Sequence, residues 1–327
     1  MKGLKMSANV ETMFSAVETP WHKLGTVTES VLTASDALEK AGLDWEVYLK
    51  DMYFHNNFGN ITNHTKVENK YAVVRQSDNS CLGVVGNKYT PVQNREAFTF
   101  MDNIVDSGEA KYETAGALDG GKVIWILMNL KNVEGITNVN GDDIAPYMLL
   151  SNSHDGSSAL KVTMTPVRVV CQNTLRIALG KRVTQQISIR HTSGITQKVD
   201  TARNTLGLAV EYYKGFTESV ERMIDKEITD DRFVEIMDSV FPKPSDEEME
   251  KPRVASNYKH KIASVQTNYV SEKHVGTAWG VVNAFNSYEI WQQKIRGGET
   301  KRMTRQAKNF ILNNQPITNK VKRLAYG

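Results

Sequence analysis

The stretch Lys122-Val-Ile-Trp-Ile-Leu-Met-Asn-Leu130 decides the fold, because residues 123–128 form an unbroken apolar run. Such a run is typical of a strand that is buried on both faces. Glycines at 116, 120 and 121 precede it and predict a hairpin that leads into this central strand. Further strand patterns lie on both sides of it, at residues 45–54, 71–75, 81–85, 146–151, 159–164 and 185–191. We therefore expect a mostly antiparallel sheet around the central strand, with a β-bulge where the alternation of residues 45–54 slips at Asp51.

The glycine-rich turn before the central strand resembles a nucleotide-binding P-loop only in part. Val123 stands where a Ser or Thr must hold magnesium, and Lys122 leads into a strand instead of a helix. The hairpin explains all of these residues. We therefore do not predict nucleotide hydrolysis at this turn.

Helix signals lie between the strands and dominate the end of the chain. Thr33-Ala-Ser-Asp36 has the form of a capping box, and Asn94 and Thr229 have the form of helix N-caps. Residues 200–226 are amphipathic, and beyond residue 253 only helical patterns occur, at 255–267, 276–295 and 302–312. This order predicts an α+β fold, with a mostly antiparallel sheet packed with helices in the N-terminal two-thirds and a helical C-terminal third.

One segment has the composition of a linker. Residues 242–252, PKPSDEEMEKP, are acidic and contain three prolines. We therefore predict an α+β core domain with an N-terminal arm over residues 1–240. An acidic, proline-rich linker over 241–253 and a helical, basic region over 254–327 follow it.

The composition is that of an ordinary globular chain, with 327 residues, 24% charged and 40% hydrophobic. Its two cysteines lie in apolar runs, which makes a disulfide framework implausible. Residues 1–14 lack the apolar core of a signal peptide, and no apolar run approaches the ~20 residues of a membrane span. These features predict a cytoplasmic protein without membrane association.

Positive charge is concentrated in two stretches. Residues 156–199 contain seven Lys and Arg and no Asp or Glu, and residues 290–327 contain nine Lys and Arg against one Glu. The two stretches carry +7 and +8, which leaves −12 for the rest of a chain whose formal net charge is +3. This distribution predicts an electrostatic face that attracts anions.

A row of polar residues within the first basic stretch is the sharpest signal. Thr165-Pro166 has the form of a helix start, and a helix to residue 179 places Arg168, Gln172 and Arg176 on one face. Guanidinium groups on one face suit phosphate oxygens. We therefore predict a nucleic-acid-binding surface formed by Arg168, Gln172, Arg176, Lys181, Arg182, Arg190, His191 and His154. A solvated face whose charges pair with acids far along the chain is the competing interpretation.

Aromatic residues are expected to assist this surface by stacking on bases. Trp21 and Tyr89 are the candidates, and the aromatics of the basic C-terminal stretch are further ones. We expect Trp279 and Phe285 to lie in the core of amphipathic helices instead.

Signals for catalysis are weak. His154-Asp155 resembles the metal-binding pair of phosphohydrolases, but it lies in a turn-rich loop over residues 151–158. Cys171 falls on the apolar side of its predicted helix, where a thiol is inert, so no pair with His191 is expected. We therefore predict no catalytic residue, no metal and no cofactor. A metal-dependent, nuclease-like enzyme that uses His154 and Asp155 stays an alternative.

Several separated strings together carry a family resemblance. They are Glu18-Thr-Pro-Trp-His22 with Leu24-Gly-Thr26, Ala41-Gly-Leu-Asp-Trp45, Leu82-Gly-Val-Val-Gly86 with Tyr89 and Pro91-Val-Gln-Asn94, Ser151-Asn-Ser-His-Asp-Gly-Ser157, Thr165-Pro-Val-Arg-Val-Val-Cys171-Gln-Asn-Thr-Leu175, Arg190-His191, and Thr277-Ala-Trp279 with Asn283-Ala284. In this order, over residues 14–290, they resemble the phage/plasmid-like family labelled by its Leu-Gly-Thr motif, a domain of unknown function. Lys23 and Arg176 depart from the pattern expected for that family.

The resemblance implies a mobile-element origin and a place in the host cytoplasm, and it implies no activity. Phage single-strand annealing proteins are α+β, form rings, are basic in a groove and need no nucleotide or metal. By that analogy we predict a nucleic-acid-binding protein, specifically a homo-oligomer that binds or anneals single-stranded DNA in recombination. The nuclease-like enzyme and a host-directed inhibitor that binds an acidic protein stay alternatives.

Overall fold

The structure is a computed structural model, which describes residues 10–15, 26–27, 33–58, 61–105, 110–130, 138–168, 173–174, 186–192, 205–294 and 315–326. The strands are β1 (Val10–Ser15), β2 (Thr26–Val27), β3 (Val47–Phe58), β4 (Ile61–Arg75), β5 (Cys81–Gly86), β6 (Ala110–Leu118), β7 (Val123–Leu130), β8 (Asn138–Val139), β9 (Asp142–Ser153), β10 (Leu160–Arg168), β11 (Asn173–Thr174) and β12 (Gln186–Ile189). The helices are α1 (Ala34–Lys40), α2 (Asn94–Val105), α3 (Thr205–Asp225), α4 (Asp230–Val240), α5 (Asp246–Met249), α6 (Pro252–Val270), α7 (Ala278–Ser287) and α8 (Pro316–Ala325). A π-helical turn (Tyr288–Gln292) follows α7. Sheets dominate the N-terminal two-thirds and helices the C-terminal part, which confirms the α+β class.

The chain forms two compact units. The first comprises Met1–Asn132, Tyr147–Met164 and Thr184–Ala209, and the second comprises Val133–Pro146, Thr165–Val183 and Val210–Gly327. The segment predicted as a linker, residues 241–253, holds the whole of α5 and the first two residues of α6. The domain boundaries at 240 and 254 stay a prediction.

The central strand of the first unit is β7, as expected from its apolar run. It pairs antiparallel with β6 on one side and with β9 on the other. Every residue of β7 except Asn129 is buried. Positive φ at Asp119, Gly120 and Gly121 closes the predicted hairpin between β6 and β7. Within this unit the strand order is β10-β9-β7-β6-β1-β2, with β12 paired to β10.

A second, three-stranded sheet of the first unit contains β3, β4 and β5. The register of β3 against β4 shifts between Asp51 and Tyr53, where a bulge was predicted, but the extra residues lie on β4, between Lys66 and Tyr71, and not on β3. β5 pairs with β4 over Lys70 to Val74 only. Beyond the bulge, β3 and β4 therefore continue as a two-stranded ribbon, to which no other strand of the described chain is paired.

Capping residues begin several helices, as the sequence predicted. Thr33 and Asp36 form a complete capping box at α1, and the hydroxyl of Thr229 accepts from the backbone of Arg232 at α4. Asn94 is different. It is the first residue of α2, and its buried amide group bonds outside the helix. Because the side chain of Asn94 does not cap α2, it can form hydrogen bonds to groups outside the helix.

The helix predicted to begin at Thr165 is wrong. Residues up to Arg168 belong to β10, and Val167 and Arg168 pair antiparallel with Thr174 and Asn173 of β11. The apolar spacing of residues 167–179 fits a helix locally, but backbone bonds to a neighbouring strand outweigh such a weak local preference. Arg168 therefore lies on a strand and not on the predicted helix, while Gln172 and Arg176 lie outside the described residues.

The second unit is built around α7, whose residues Ala278 to Asn286 are all buried. Trp279 is fully buried, and its Nε1 donates to Oδ2 of Asp142 at 2.6 Å. In the π-helical turn, the carboxylate of Glu289 accepts from the backbone nitrogens of Ile317 and Thr318 at the start of α8. Free backbone N–H groups at a helix start need such an acceptor. Glu289 therefore fastens α8 to α7. None of the described helices combines the length and apolarity that crossing a bilayer requires.

Candidate functional site

His154, in the loop after β9, is fully buried with 0% exposure. Its Nε2 lies 2.9 Å from Oδ1 of Asn94, whose amide nitrogen donates to the carbonyl oxygens of Leu43 and Trp45. Because that nitrogen has two carbonyl acceptors, the oxygen of Asn94 must accept, and Nε2 of His154 must carry the proton. Nδ1 of His154 is therefore a bare lone pair, and no described group donates to it.

His191, directly after β12, repeats this arrangement. Its Nδ1 lies 3.2 Å from the carbonyl oxygen of Thr90, which can only accept, so Nδ1 carries the proton. The ring stacks on that of Tyr89 with 4.8 Å between ring centres, and the residue is 7% exposed. Nε2 of His191 is thus a second buried lone pair without a donor among the described groups.

Asn152, near the end of β9, contributes a third acceptor. Its amide nitrogen donates to the carbonyl oxygen of Val92, and its Oδ1 is buried with no partner in the described chain. The three contacts fall on alternate residues of segment 90–94, which leads into α2. We call His154, Asn152 and His191 the acceptor row. Buried polar atoms are normally bonded, and ordered water is the usual partner of such acceptors.

The loop that carries His154 packs closely on β5. A Cβ at Gly83 would lie 2.5 Å from Cα of Asp155, so only glycine permits this approach. The hydroxyl of Tyr89 donates to the carbonyl oxygen of Ser153 at 3.0 Å. Tyr89 is therefore engaged in packing, not available as the stacking platform that we considered from the sequence. These contacts fasten the three-stranded sheet to the end of β9.

Electrostatics make the acceptor row unsuited to anions. Burial lowers the pKa of His154 to about 3, and nearby His191 contributes to this lowering. Burial also lowers the pKa of His191. Both rings are therefore neutral at pH 7, and the N–H group of each already bonds within the chain, so neither offers a positive charge or a spare donor to a phosphate. We therefore do not include these two histidines in a surface for phosphates.

Two of the other predicted site residues lie within the described chain. Arg190 is exposed directly after β12. Arg168 lies at the end of β10 opposite Asn173. Gln172, Arg176, Lys181 and Arg182 lie outside the described residues. The described structure brings Arg190 and His191 together only as chain neighbours. The predicted contact of this set with nucleic acid stays a prediction.

The end of the β3–β4 ribbon is an exposed surface that sequence reasoning missed. We define the distal ribbon as residues 53–58 of β3 and 61–66 of β4, which pair from Tyr53 opposite Lys66 to Phe58 opposite Ile61. Residues 52–67 contain no Asp or Glu. The flanking acid Asp51 is bound to Lys66 at 2.9 Å. The distal ribbon therefore presents no carboxylate of its own.

The distal ribbon carries two large aromatic side chains in solvent. Tyr53 is 53% and Phe54 is 47% exposed. His55 and His64 face each other across the two strands and are also exposed. Successive residues of a strand point to opposite faces, so Tyr53 shares one face of the ribbon with His55, and Phe54 lies on the other face.

A sequence signal for this ribbon exists. His55 and His64 have the pattern of isolated surface histidines, because they lie in polar surroundings without the spacing of metal ligands. The absence of acids over 52–67 and the turn pair Gly59-Asn60 at its centre are nevertheless visible in the sequence. Those two features would have predicted an exposed, acid-free hairpin.

The nuclease-like alternative gains no support from the described geometry. Within the described residues, no three or more His, Cys, Asp or Glu side chains gather into a metal-binding group. Although burial raises the pKa of Asp155, hydrogen bonds from Ser153 and Ser157 lower it below its usual range. The Asp155 carboxylate accepts from both serines and holds the turn. This arrangement is that of a turn-forming residue.

Comparison with known proteins identifies a family. No curated protein and no solved structure matches the chain. A family model described as Domain of unknown function (DUF932) matches residues 81–310, more than half of the chain. The match includes the acceptor row and α7 and begins after the distal ribbon. A phage or plasmid origin and the Leu-Gly-Thr motif stay predictions. The chain belongs to the DUF932 family, as expected from its resemblance to a domain of unknown function.

Proposed function

We propose that this chain is a nucleic-acid-binding protein that holds single-stranded DNA, with the distal ribbon as a principal contact. The observation that carries the proposal is the exposure of Tyr53 and Phe54 on a paired ribbon without a carboxylate over residues 52–67. Single-strand binders combine aromatic stacking platforms with positive charge along the backbone path, and the ribbon supplies the aromatic side chains without a carboxylate that would oppose the charge.

Stacking supplies the affinity in this proposal. A base stacked on an aromatic side chain contributes about 1–3 kcal/mol by alanine substitution, whatever the base. Phosphates can approach the ribbon closely because no carboxylate over residues 52–67 repels them.

The basic stretch supports the proposal from the same chain. Exposed Arg190 and the other cations of residues 156–199 carry +7 without a single acid. Lysine and arginine that contact phosphates release counterions, which makes binding weaken steeply with salt. In this proposal the basic stretch attracts the DNA from a distance, and the distal ribbon stacks on its bases.

The proposal extends to assembly and setting. A two-stranded ribbon is marginally stable alone in water, so we expect DNA to cover the distal ribbon. We propose a homo-oligomer that binds or anneals single strands in recombination of a mobile element, in the cytoplasm of its host. A continuous path for DNA then passes from subunit to subunit.

Direct binding tests the proposal. The probe is a labelled oligothymidine of about 30 nucleotides, which is long enough to span several ~4–16-nucleotide sites. Its fluorescence anisotropy is measured with the purified chain at low salt and again as the salt concentration is raised. We expect saturable binding that loses affinity linearly on a log–log plot against salt concentration. Absence of binding at about 50 mM salt, where such contacts are strong, would refute the function.

Two variants test the contacts. Tyr53→Ala combined with Phe54→Ala is expected to lower affinity at least tenfold, which corresponds to the loss of about 1.4 kcal/mol or more. Arg190→Ala is expected to reduce the salt slope by about one. Val270→Ala, at a 73% exposed position of α6, is the matched control. Binding by the double variant that equals that of the control would exclude the distal ribbon as the contact.

Strand preference and assembly need separate measurements. The same anisotropy assay with a duplex of equal length is expected to show weaker binding, because paired bases cannot stack on side chains. Light scattering with and without oligonucleotide reports the mass of the assembly. Equal affinity for the duplex would contradict single-strand binding, and a monomer in both conditions would contradict the oligomer.

A further inference from the structure

His55 and His64 stand directly opposite each other on the distal ribbon. The ladder pairs them in register, and their ring centres lie 4.4 Å apart with an angle of 72° between the planes. Both residues are exposed. Directly opposite residues of an antiparallel pair have their Cβ atoms about 4.5–5.5 Å apart on one face. The backbone therefore holds two imidazoles side by side in contact with solvent.

This spacing suits a chelate. An imidazole nitrogen binds a zinc-like ion at about 2.0–2.1 Å, so two nitrogens on one ion are about 3–3.5 Å apart. Rings whose centres are 4.4 Å apart can reach that separation by rotation of the two side chains, without movement of the strands. Because both side chains are exposed, neither rotation has to displace packed neighbours.

We propose that His55 and His64 bind one borderline divalent transition-metal ion, such as Cu²⁺, Ni²⁺ or Zn²⁺. Imidazole nitrogen is a preferred ligand of these ions, whereas Mg²⁺ and Ca²⁺ prefer oxygen. By the usual order of divalent-ion affinities, Cu²⁺ is held most tightly. Two protein ligands leave coordination positions for water or an incoming anionic group.

The surroundings allow a cation at this position. The nearest described cation along the ribbon is Lys66, whose ammonium group is bound to the carboxylate of Asp51 at 2.9 Å. That pairing reduces its repulsion of an incoming ion. With no acid over residues 52–67, the imidazoles are the only strong metal ligands that the sequence supplies there. The site is therefore expected to select metal ions that prefer nitrogen ligands.

The proposal stands apart from the proposed function because it concerns the metal alone. If the chain also binds DNA, an ion at this position adds positive charge beside Tyr53 and offers its open positions to a phosphate oxygen. That consequence alone rests on the proposed function. A test of metal binding therefore contains no nucleic acid.

The site is tested by titration of the whole, tag-free chain with Cu²⁺ and with Ni²⁺. Metals already bound to the chain are removed beforehand. Isothermal calorimetry is expected to show one ion per chain for the wild type, and His55→Ala or His64→Ala is expected to weaken binding at least tenfold. Thr65→Ala, beside His64 in the sequence and opposite Phe54, is the control and keeps the wild-type affinity. Circular dichroism checks that each variant is folded.

Two further readouts make the outcome decisive. Long-range ¹⁵N–¹H NMR spectra are expected to show ring-nitrogen shifts of His55 and His64 on addition of diamagnetic Zn²⁺. A large excess of Mg²⁺ is expected to leave these spectra unchanged. Equal affinity of the histidine variants and the wild type, or shifts confined to other histidines, would overturn the proposal whether or not the chain binds DNA.

Discussion

Nε2 of His154 donates to Oδ1 of Asn94 across 2.9 Å, between side chains that are 60 residues apart in sequence and both buried. Removal of either partner leaves a buried polar atom unsatisfied. We expect His154→Ala and Asn94→Ala each to lower the free energy of unfolding by about 2–4 kcal/mol. Urea denaturation measures this loss. Gln76→Ala, at an exposed position, is the control and should stay within about 0.5 kcal/mol of the wild type.

Stability should depend on pH through the same histidine. The pKa of His154 is lowered by burial to about 3 in the folded chain, against about 6.5 when unfolded. Between those values the unfolded chain binds more protons, so this contribution is complete above about pH 6.5 and is lost as pH falls towards 3. The slope from one such group approaches about 1.4 kcal/mol per pH unit.

The free energy of unfolding is measured for the wild type and for His154→Gln. The measurements are made at several pH values between about 4.5 and 7, which lie within the window that these pKa values define. We expect a shallower loss of stability with acid in the variant. The pKa of His191 is also lowered, so some dependence should remain. Identical slopes for the two proteins would show that His154 is not held neutral by burial.

Gly83 and Gly86 form a matched pair on β5. A Cβ at Gly83 would meet backbone atoms of Asp155 at 2.5 and 2.9 Å, whereas a Cβ at Gly86 would meet nothing within 4 Å. We expect Gly83→Ala to destabilise the chain by about 1–3 kcal/mol and Gly86→Ala to have little effect. Thermal unfolding of both variants checks this. Equal melting temperatures would contradict the close packing of β5 on the loop after β9.

Glu289 should control the attachment of α8. Its carboxylate accepts from the backbone of Ile317 and Thr318 and from the hydroxyl of Thr318. Glu289→Ala removes all three bonds, so amide hydrogen exchange over residues 316–325 should become faster. Glu289→Gln keeps one acceptor oxygen and should show an intermediate rate. Glu247→Gln, on the exposed surface of α5, is the control.

The acceptor row should hold a donor. Nδ1 of His154, Nε2 of His191 and Oδ1 of Asn152 are buried and lack donors among the described groups. Ordered water commonly satisfies such atoms. A high-resolution crystal structure is expected to show water, or another donor, within about 3.2 Å of at least one of them. Empty density beside all three would contradict the tautomers assigned to the two histidines.

Local patterns predicted a large part of the first unit correctly. The apolar run of β7 and the hairpin before it are present, and the register slips at Asp51 as expected, although the extra residues lie on β4. The capping box at Thr33 is present too. Each of these features depends on residues within a few positions of one another, and their hydrogen-bonding and burial preferences do not need a distant partner.

The same local reasoning was wrong where a distant or competing partner decided the outcome. Thr165 and Pro166 satisfy the rules for a helix start, yet the residues after them pair with β11. The turn-rich loop at His154 has the composition of a surface loop, yet the histidine is fully buried and its ring bonds to Asn94. Turn composition reports backbone geometry and does not report burial.

The sequence by itself determined the α+β class, the central strand, the helix starts at Thr33 and Thr229 and the sorting of charge into acid-free stretches. Only the tertiary structure decided that His154, Asn152 and His191 face one chain segment with their lone pairs unpaired, and that His55 and His64 meet across a ribbon. The physical reason is that protonation, burial and pairing depend on groups brought close by folding. Composition and periodicity describe only neighbours along the chain.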